Sequence, residues 1–148
     1  MFLFSTGLKN DILGTSSLTA LLTDGIVSLY AGTMPATAQD SIGQAVLLNT
    51  YTDNSSAVGA GNGLNFATPT GGSISKDAAQ VWSGVAVATG TSTFFRFHAQ
   101  ADTGTLSQID VRIQGTVGGN NADMFVQTNV ITLGVNYTID YFNIIIPV

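Results

Sequence analysis

Short runs rich in Val, Ile, Phe, Tyr and Thr recur roughly every 8–14 residues along this chain, and Gly-, Asn- and Asp-rich stretches divide them. That spacing is too tight for ordinary helices and suits strands joined by turns. The charged residues agree. They make up 9% of the chain, against about 25% in a typical soluble domain. All nine acids are Asp, and Glu, which favours exposed helix faces, is absent. The expectation is an all-β, single-domain antiparallel β-sandwich, jelly-roll-like, spanning 1–148. At most one short N-terminal helix is expected, in the second half of 8–23, with Thr15, Ser16 or Ser17 as N-cap and Asp24-Gly25 as its stop.

Strands are read at 26–32, 45–52, 78–90, 92–101 and 109–117, with shorter ones beyond. The run 78–90 ends in a Thr-Gly turn and is expected to form a hairpin with 92–101. In 109–117, Ile109, Val111 and Ile113 alternate with Asp110, Arg112 and Gln114, the pattern of a half-buried strand. Around Pro35 (33–44), and over the Gly- and Asn-rich 53–65, loops are expected.

Composition removes several function classes. The only basic side chains are Lys9, Lys76, Arg96 and Arg112, and the net charge is −5. Four scattered cations supply neither a nucleic-acid footprint nor a polybasic membrane patch, so no nucleic-acid or membrane partner is expected. With no Cys there is no disulfide, zinc-thiolate site or Cys nucleophile. GAGNG (59–63) and GTVGGNN (115–121) lack the spacing of phosphate-binding loops and read as turns. Asp53-Asn54, and Asn120-Asn121 with Asp123, read as Asx turns and not as Ca²⁺ ligands. No cofactor or metal is assigned.

The stretch TSTFFRFH (91–98) carries the single His and three of the eight Phe. As a strand, TFFRFHAQA (93–101) points Phe95, Phe97, Ala99 and Ala101 to a core face, and Phe94, Arg96, His98 and Gln100 to a face that is wet or at an interface. A catalytic reading makes His98 a general base oriented by Asp102 or Asp110. It needs a nucleophile, and no G-x-S-x-G elbow is present; GGSIS (71–75) lacks the second Gly. No catalytic residue is therefore assigned, and the chain reads as a non-enzyme.

Both ends are apolar. MFLF opens the chain and reads as an N-terminal arm over about 1–7, and YFNIIIPV closes it. A strand so free of polar breaks must be covered on both faces, either as a central strand or by pairing with a neighbouring subunit. Together with the scarcity of charge, this points to oligomerisation or docking. The expected partner-binding residues are Phe2, Leu3 and Phe4 of the arm, the face around Phe94, Arg96 and His98, and Ile144, Ile145 and Ile146.

Three stretches carry a resemblance: GIVSLYAGTMPATAQDSIGQAVL, KDAAQVWSGVAVATGTSTFFRFHAQADTG and RIQGTVGGNNADM. Together they resemble small virion structural proteins of tailed bacteriophages, of the capsid decoration (cement) type. The resemblance implies a homotrimer or homodimer on the outer surface of the capsid that bridges major capsid protein subunits. It carries packing and turn residues only, so it implies no functional side chain. Two alternatives stay open. One is a phage tail tube, baseplate or fibre component. The other is a carbohydrate-binding module in which Trp82, Tyr30 and Tyr51 stack on sugar rings.

Overall fold

A computed structural model describes residues 1–145. The elements in chain order are β1 (Leu3–Phe4), α1 (Thr6–Gly14), α2 (Leu18–Leu21), β2 (Ile26–Ala31), β3 (Val46–Asp53), β4 (Ser73–Ser75) and β5 (Trp82–Val85). Then follow β6 (Gly90–Thr91), β7 (Phe94–His98), β8 (Arg112–Gly118), β9 (Met124–Phe125), β10 (Val130–Ile131), β11 (Asn136–Thr138) and β12 (Asn143–Ile145). The fold is all-β and dominated by antiparallel pairing, as the sequence implies. The main sheet runs β1-β8-β7-β2-β3-β5-β11, with β9 joined in parallel to β8. Two ribbons, β10-β6 and β12-β4, complete it.

Ser17 caps α2 by accepting the Ala20 N–H, at the position the sequence indicates. A further helix, α1, precedes it. Its cap, Ser5, accepts the Leu8 and Arg112 N–H groups and donates to the Asp110 carbonyl. One hydroxyl thus ends the N-terminal strand, starts α1 and ties both to β8. Gly7 lets the helix approach, because a Cβ there would lie 2.4 Å from the Ile109 carbonyl. The apolar start is therefore no free arm. Leu3 and Phe4 pair with Gln114 and Ile113, and the Phe2 ring packs on Phe95 and Phe142.

Pairing departs from the sequence reading at two places. β5 pairs with β3 and β11, not with β7, whose partners are β2 and β8. The Thr-Gly turn feeds β6, which pairs with β10. Among the described residues the C-terminal strand is not central: β12 pairs only with β4, in a two-stranded ribbon. Its alternation is clean, with Phe142 and Ile144 buried and Tyr141 and Ile145 exposed. A single apolar run can thus serve a one-sided ribbon, because only alternate side chains meet the core.

The main core lies on one face of the sheet. Val27, Leu29, Phe95, Phe97 and Ile113 project there and meet Phe66, Trp82, Phe142 and Ile144. The rings interlock at right angles, Phe66 on Trp82 at 5.3 Å and Phe95 on Phe142 at 5.6 Å. Gly84 brings β5 against β3, since a Cβ there would lie 2.0 Å from the Thr50 carbonyl oxygen. Truncating Phe97 to Ala is expected to cost about 3–5 kcal/mol of unfolding free energy. Gly84→Ala is expected to cost about 1–3 kcal/mol by forcing two strands apart. Urea titrations followed by Trp82 fluorescence check both.

Candidate functional site

The face opposite the core is the distinctive part of the molecule. Register places Ile26, Ser28 and Tyr30 of β2 beside His98, Arg96 and Phe94 of β7, and these beside Arg112, Gln114 and Thr116 of β8. The sequence expects this face to be open. It is instead roofed by the segments 33–45 and 99–111. Phe94 is 0% exposed, Arg96 1% and His98 7%. The contact surface assigned to Phe94, Arg96 and His98 is thus corrected: loops of the same chain cover it. Phe94 stacks on Tyr30 at 5.1 Å.

The roof is held by the sheet's own polar side chains. Arg112 donates from Nε to Asp102 Oδ2 at 2.6 Å and from Nη2 to Asp102 Oδ1 at 2.7 Å. It also reaches the Asp110 carboxylate at 3.0 Å and the Gln39 and Thr105 carbonyls. Arg96 donates to the Asp40 carbonyl and to Gln114 Oε1, and Gln114 donates to the Pro35 carbonyl. Loop carbonyls that would otherwise face water are satisfied from below, which allows a loop to lie over a buried surface. Alternation in 109–117 concealed this arrangement. The strand starts only at Arg112, Ile109 is exposed, and Arg112 and Gln114 are fully buried.

The two guanidiniums differ. Arg112 has two carboxylates. Arg96 has no carboxylate within 4.0 Å among the described residues, and its Nε has no hydrogen-bond partner. Burial, and then the nearby Arg112 charge, lowers the Arg96 pKa to about 10, so it remains a cation at neutral pH.

His98 sits beside them. Its Nδ1 lies 2.9 Å from the Ala99 carbonyl, which only accepts, so Nδ1 carries the hydrogen. Nε2 then accepts the Ser28 hydroxyl at 2.9 Å. Burial lowers the His98 pKa, the Ala99 carbonyl opposing it, and the ring is neutral at pH 7. Burial pushes the Asp102 carboxyl up, but hydrogen bonds from Arg112 and from the Gly104 N–H outweigh it and hold it low. A hydroxyl and a base thus meet here, a pairing sequence spacing could not reveal because Ser28 and His98 are 70 positions apart. Two parts of a hydrolytic centre are elsewhere engaged. Asp102 Oδ2 is 4.0 Å from His98 Nδ1 and is committed to Arg112. Strand β2 is paired on both sides, so its N–H groups serve the sheet and not an oxyanion.

Between the roof and β2–β3 lies a cleft of about 390 Å³, whose lining includes the polar Ser28, Arg96, His98, Gln100 and Asp102 and the aliphatic Ile26, Leu47 and Val58. Gln100 donates to the Asp24 carbonyl, while its Oε1 is buried without a partner.

The other expected site residues separate. Phe2, Leu3 and Phe4 are half-buried against their own sheet. Ile144 is buried, Ile145 is exposed, and Ile146 lies outside the described residues. Trp82 and Tyr51 are fully buried and Tyr30 nearly so, so none of the three presents a ring face to a sugar. Asp123 is occupied by Thr116 and by the Met1 amine, and Asp53 by the Val81 N–H. Among the described residues no cluster of His and acidic side chains is placed to hold a metal ion.

A surface that the sequence reading missed is aliphatic. Val85, Val87, Leu133 and Val135 are 43–61% exposed. They are brought together where β11 ends the sheet, by the pairing of Val85 with Asn136 and the bonds between Ala86 and residues 134–135. Val130 is exposed on the neighbouring β10-β6 ribbon. Only the pairing of strands distant in sequence assembles this patch.

No family model matches the chain, and no curated protein or solved structure matches it.

Asp102→Asn leaves Arg112 buried with one carboxylate and is expected to cost about 3–5 kcal/mol, read as a fall in the urea midpoint. His98 gives a pH signature. Its folded pKa lies below the unfolded 6.5, so the unfolded chain binds the proton first as pH falls. The His98 contribution is full above pH 6.5 and is lost as pH drops toward the folded pKa. Thermal midpoints between pH 7 and 5 are expected to fall more steeply in the native chain than in His98→Gln.

Proposed function

We propose that this chain is a non-enzymatic virion structural protein that decorates the outer surface of a phage capsid. In this reading it bridges major capsid protein subunits and self-associates as a homotrimer or homodimer. The observation that carries the reading is the aliphatic edge at Val85, Val87, Leu133 and Val135, on a chain with few charges to keep such a patch solvated. Several exposed aliphatics gathered near one end of the sheet, on a chain with few charges, are what a contact surface supplies. The capsid as partner rests on the resemblance carried by 25–47, 76–104 and 112–124. Tyr141 and Ile145, exposed on the β12 ribbon, offer a second contact away from the β11 edge. Two weak contacts engaged at once hold far more firmly than either alone. The arm and the Phe94–His98 face, assigned to docking by the sequence, are replaced in this role by the β11 edge.

The test is a cryo-electron microscopy map of the source particle. Density for this chain on the outside of the head, with the β11 edge against a capsid subunit, is the expected result. Density along the tail assigns the chain to the tail, and absence from the particle removes the reading. Val85→Asp with Val87→Asp is expected to abolish attachment to stripped heads while changing stability by no more than about 0.5 kcal/mol per site.

A further inference from the structure

The Gly- and Asn-rich loop 53–65 holds the chain's one Asn-Gly step, Asn62-Gly63. Such a step is prone to lose the Asn amide, because no side chain on Gly hinders its nitrogen from reaching the preceding side-chain carbonyl. The fold nevertheless requires Gly at 63, since a Cβ there would lie 2.2 Å from the Asp24 carbonyl oxygen. It then ties down both groups that the reaction needs. The Gly63 N–H donates to Asp24 Oδ1 at 2.7 Å. The Gly61 N–H donates to both oxygens of the same carboxylate, at 3.1 and 3.2 Å. Asn62 Nδ2 donates to the Ala57 carbonyl at 2.9 Å, and the Asn62 N–H and carbonyl are taken by Gly59 and Asp53. Asp24 is itself fixed: its N–H donates to Asn65 Oδ1, its carbonyl accepts from Gln100, and its φ is 59°. Sequence spacing hides this clasp, since Asp24 and Gly63 are 39 positions apart.

We infer that Asn62 is a site of spontaneous deamidation that the Asp24 carboxylate holds shut, and that its reaction irreversibly releases the 53–65 loop. When the clasp opens, the Gly63 nitrogen gives its proton to hydroxide and bonds to Asn62 Cγ. The Cγ–Nδ2 bond breaks, and the nitrogen leaves as ammonia after taking a proton from water, which restores the hydroxide. A five-membered succinimide remains. Water opens that ring at either carbonyl and leaves aspartate or isoaspartate at position 62, so water is the only reagent consumed. In the closed clasp neither group is free to react: the N–H is spent on Asp24 and the amide on Ala57. After reaction the donor to Ala57 is gone. A second negative charge then stands between the two N–H groups that Asp24 holds, and the like charges oppose closure.

The full chain is incubated in mildly alkaline buffer, both folded and in urea above its unfolding transition, and the peptide holding Asn62 is followed by mass spectrometry. Deamidation at Asn62 is expected in urea and to be at least about tenfold slower in the folded chain, as breaking charge-assisted hydrogen bonds on local opening requires. Exchange of the Gly63 amide, read by ¹⁵N NMR, is expected to be slowed at least about tenfold as well. Asp24→Gly suits the positive φ and keeps both backbone contacts of residue 24, so it removes the carboxylate alone. With its folded state verified by urea titration, this variant is expected to deamidate at Asn62 at least about tenfold faster than the native chain. Asn62→Asp, which carries the reaction product, is expected to speed exchange at Gly61 and Gly63 by a similar factor. Absence of deamidation in urea, or folded deamidation as fast as in urea, overturns the inference. So does a Gly63 amide that exchanges freely while Asn62 survives, a folded Asp24→Gly chain as durable as the native one, or native exchange at both glycines in Asn62→Asp. If Asp24→Gly does not fold, the native rates and the Asn62→Asp exchange decide alone. The capsid map and the β11-edge variants do not bear on these rates, so either reading can fail alone.

Discussion

The bidentate contact between Arg112 and Asp102, at 2.6 and 2.7 Å in a site shut off from water, decides how the second face of the sheet is built. A buried guanidinium must have its donors satisfied or the fold loses several kcal/mol. Arg112 spends its donors on Asp102, Asp110 and two loop carbonyls, and so draws 99–111 and the segment around Gln39 onto β8. Arg96 and Gln114 extend the same logic to Asp40 and Pro35. One face of the sheet is therefore closed by aromatic packing and the other by hydrogen bonds to loop backbone. Both exclude water, but only the second leaves polar groups lining a cleft.

That division explains why the chain tolerates so few charges. Two of its four basic side chains, Arg96 and Arg112, are buried beneath the roof, and Asp102 of the roof pairs with Arg112. The surface is left with few ionic groups and with exposed aliphatics at the β11 edge, along β12, and at Leu13, Leu106 and Ile109. Solvation by charge is weak on such a molecule, and burial against a partner is the physical alternative. The β11 strand is only three residues long, which limits open-ended edge pairing while leaving the exposed aliphatic side chains beside it, Val85, Val87, Leu133 and Val135, available.

Alternation in the sequence correctly identified the positions of β2, β3 and β7 and the core face carrying Phe95 and Phe97. It misjudged the opposite face, because polar residues at alternate positions look the same whether water or a loop lies over them. Arg96, His98 and Arg112 are buried by segments 33–45 and 99–111, and nothing local to those strands records it. The helix at Leu18–Leu21 was legible from its cap, whereas α1 (Thr6–Gly14) was not: it begins at the end of the run read as an apolar arm and fills the first half of 8–23, where no helix was placed. Its start depends on Ser5 meeting β8, a contact between residues more than a hundred positions apart.

The sequence by itself determined the class of fold, since Gly, Asn and Asp at short intervals and the absence of Glu favour strands and turns through local backbone preference. It also determined the scarcity of charge and the exclusion of a basic binding surface. Tertiary structure alone decided which strands pair, which face is roofed, where Ser28 meets His98, and how Val85, Val87, Leu133 and Val135 come to share one edge. Those outcomes depend on side chains satisfying distant backbone groups, and that demand is set by burial, which exists only once the chain has folded.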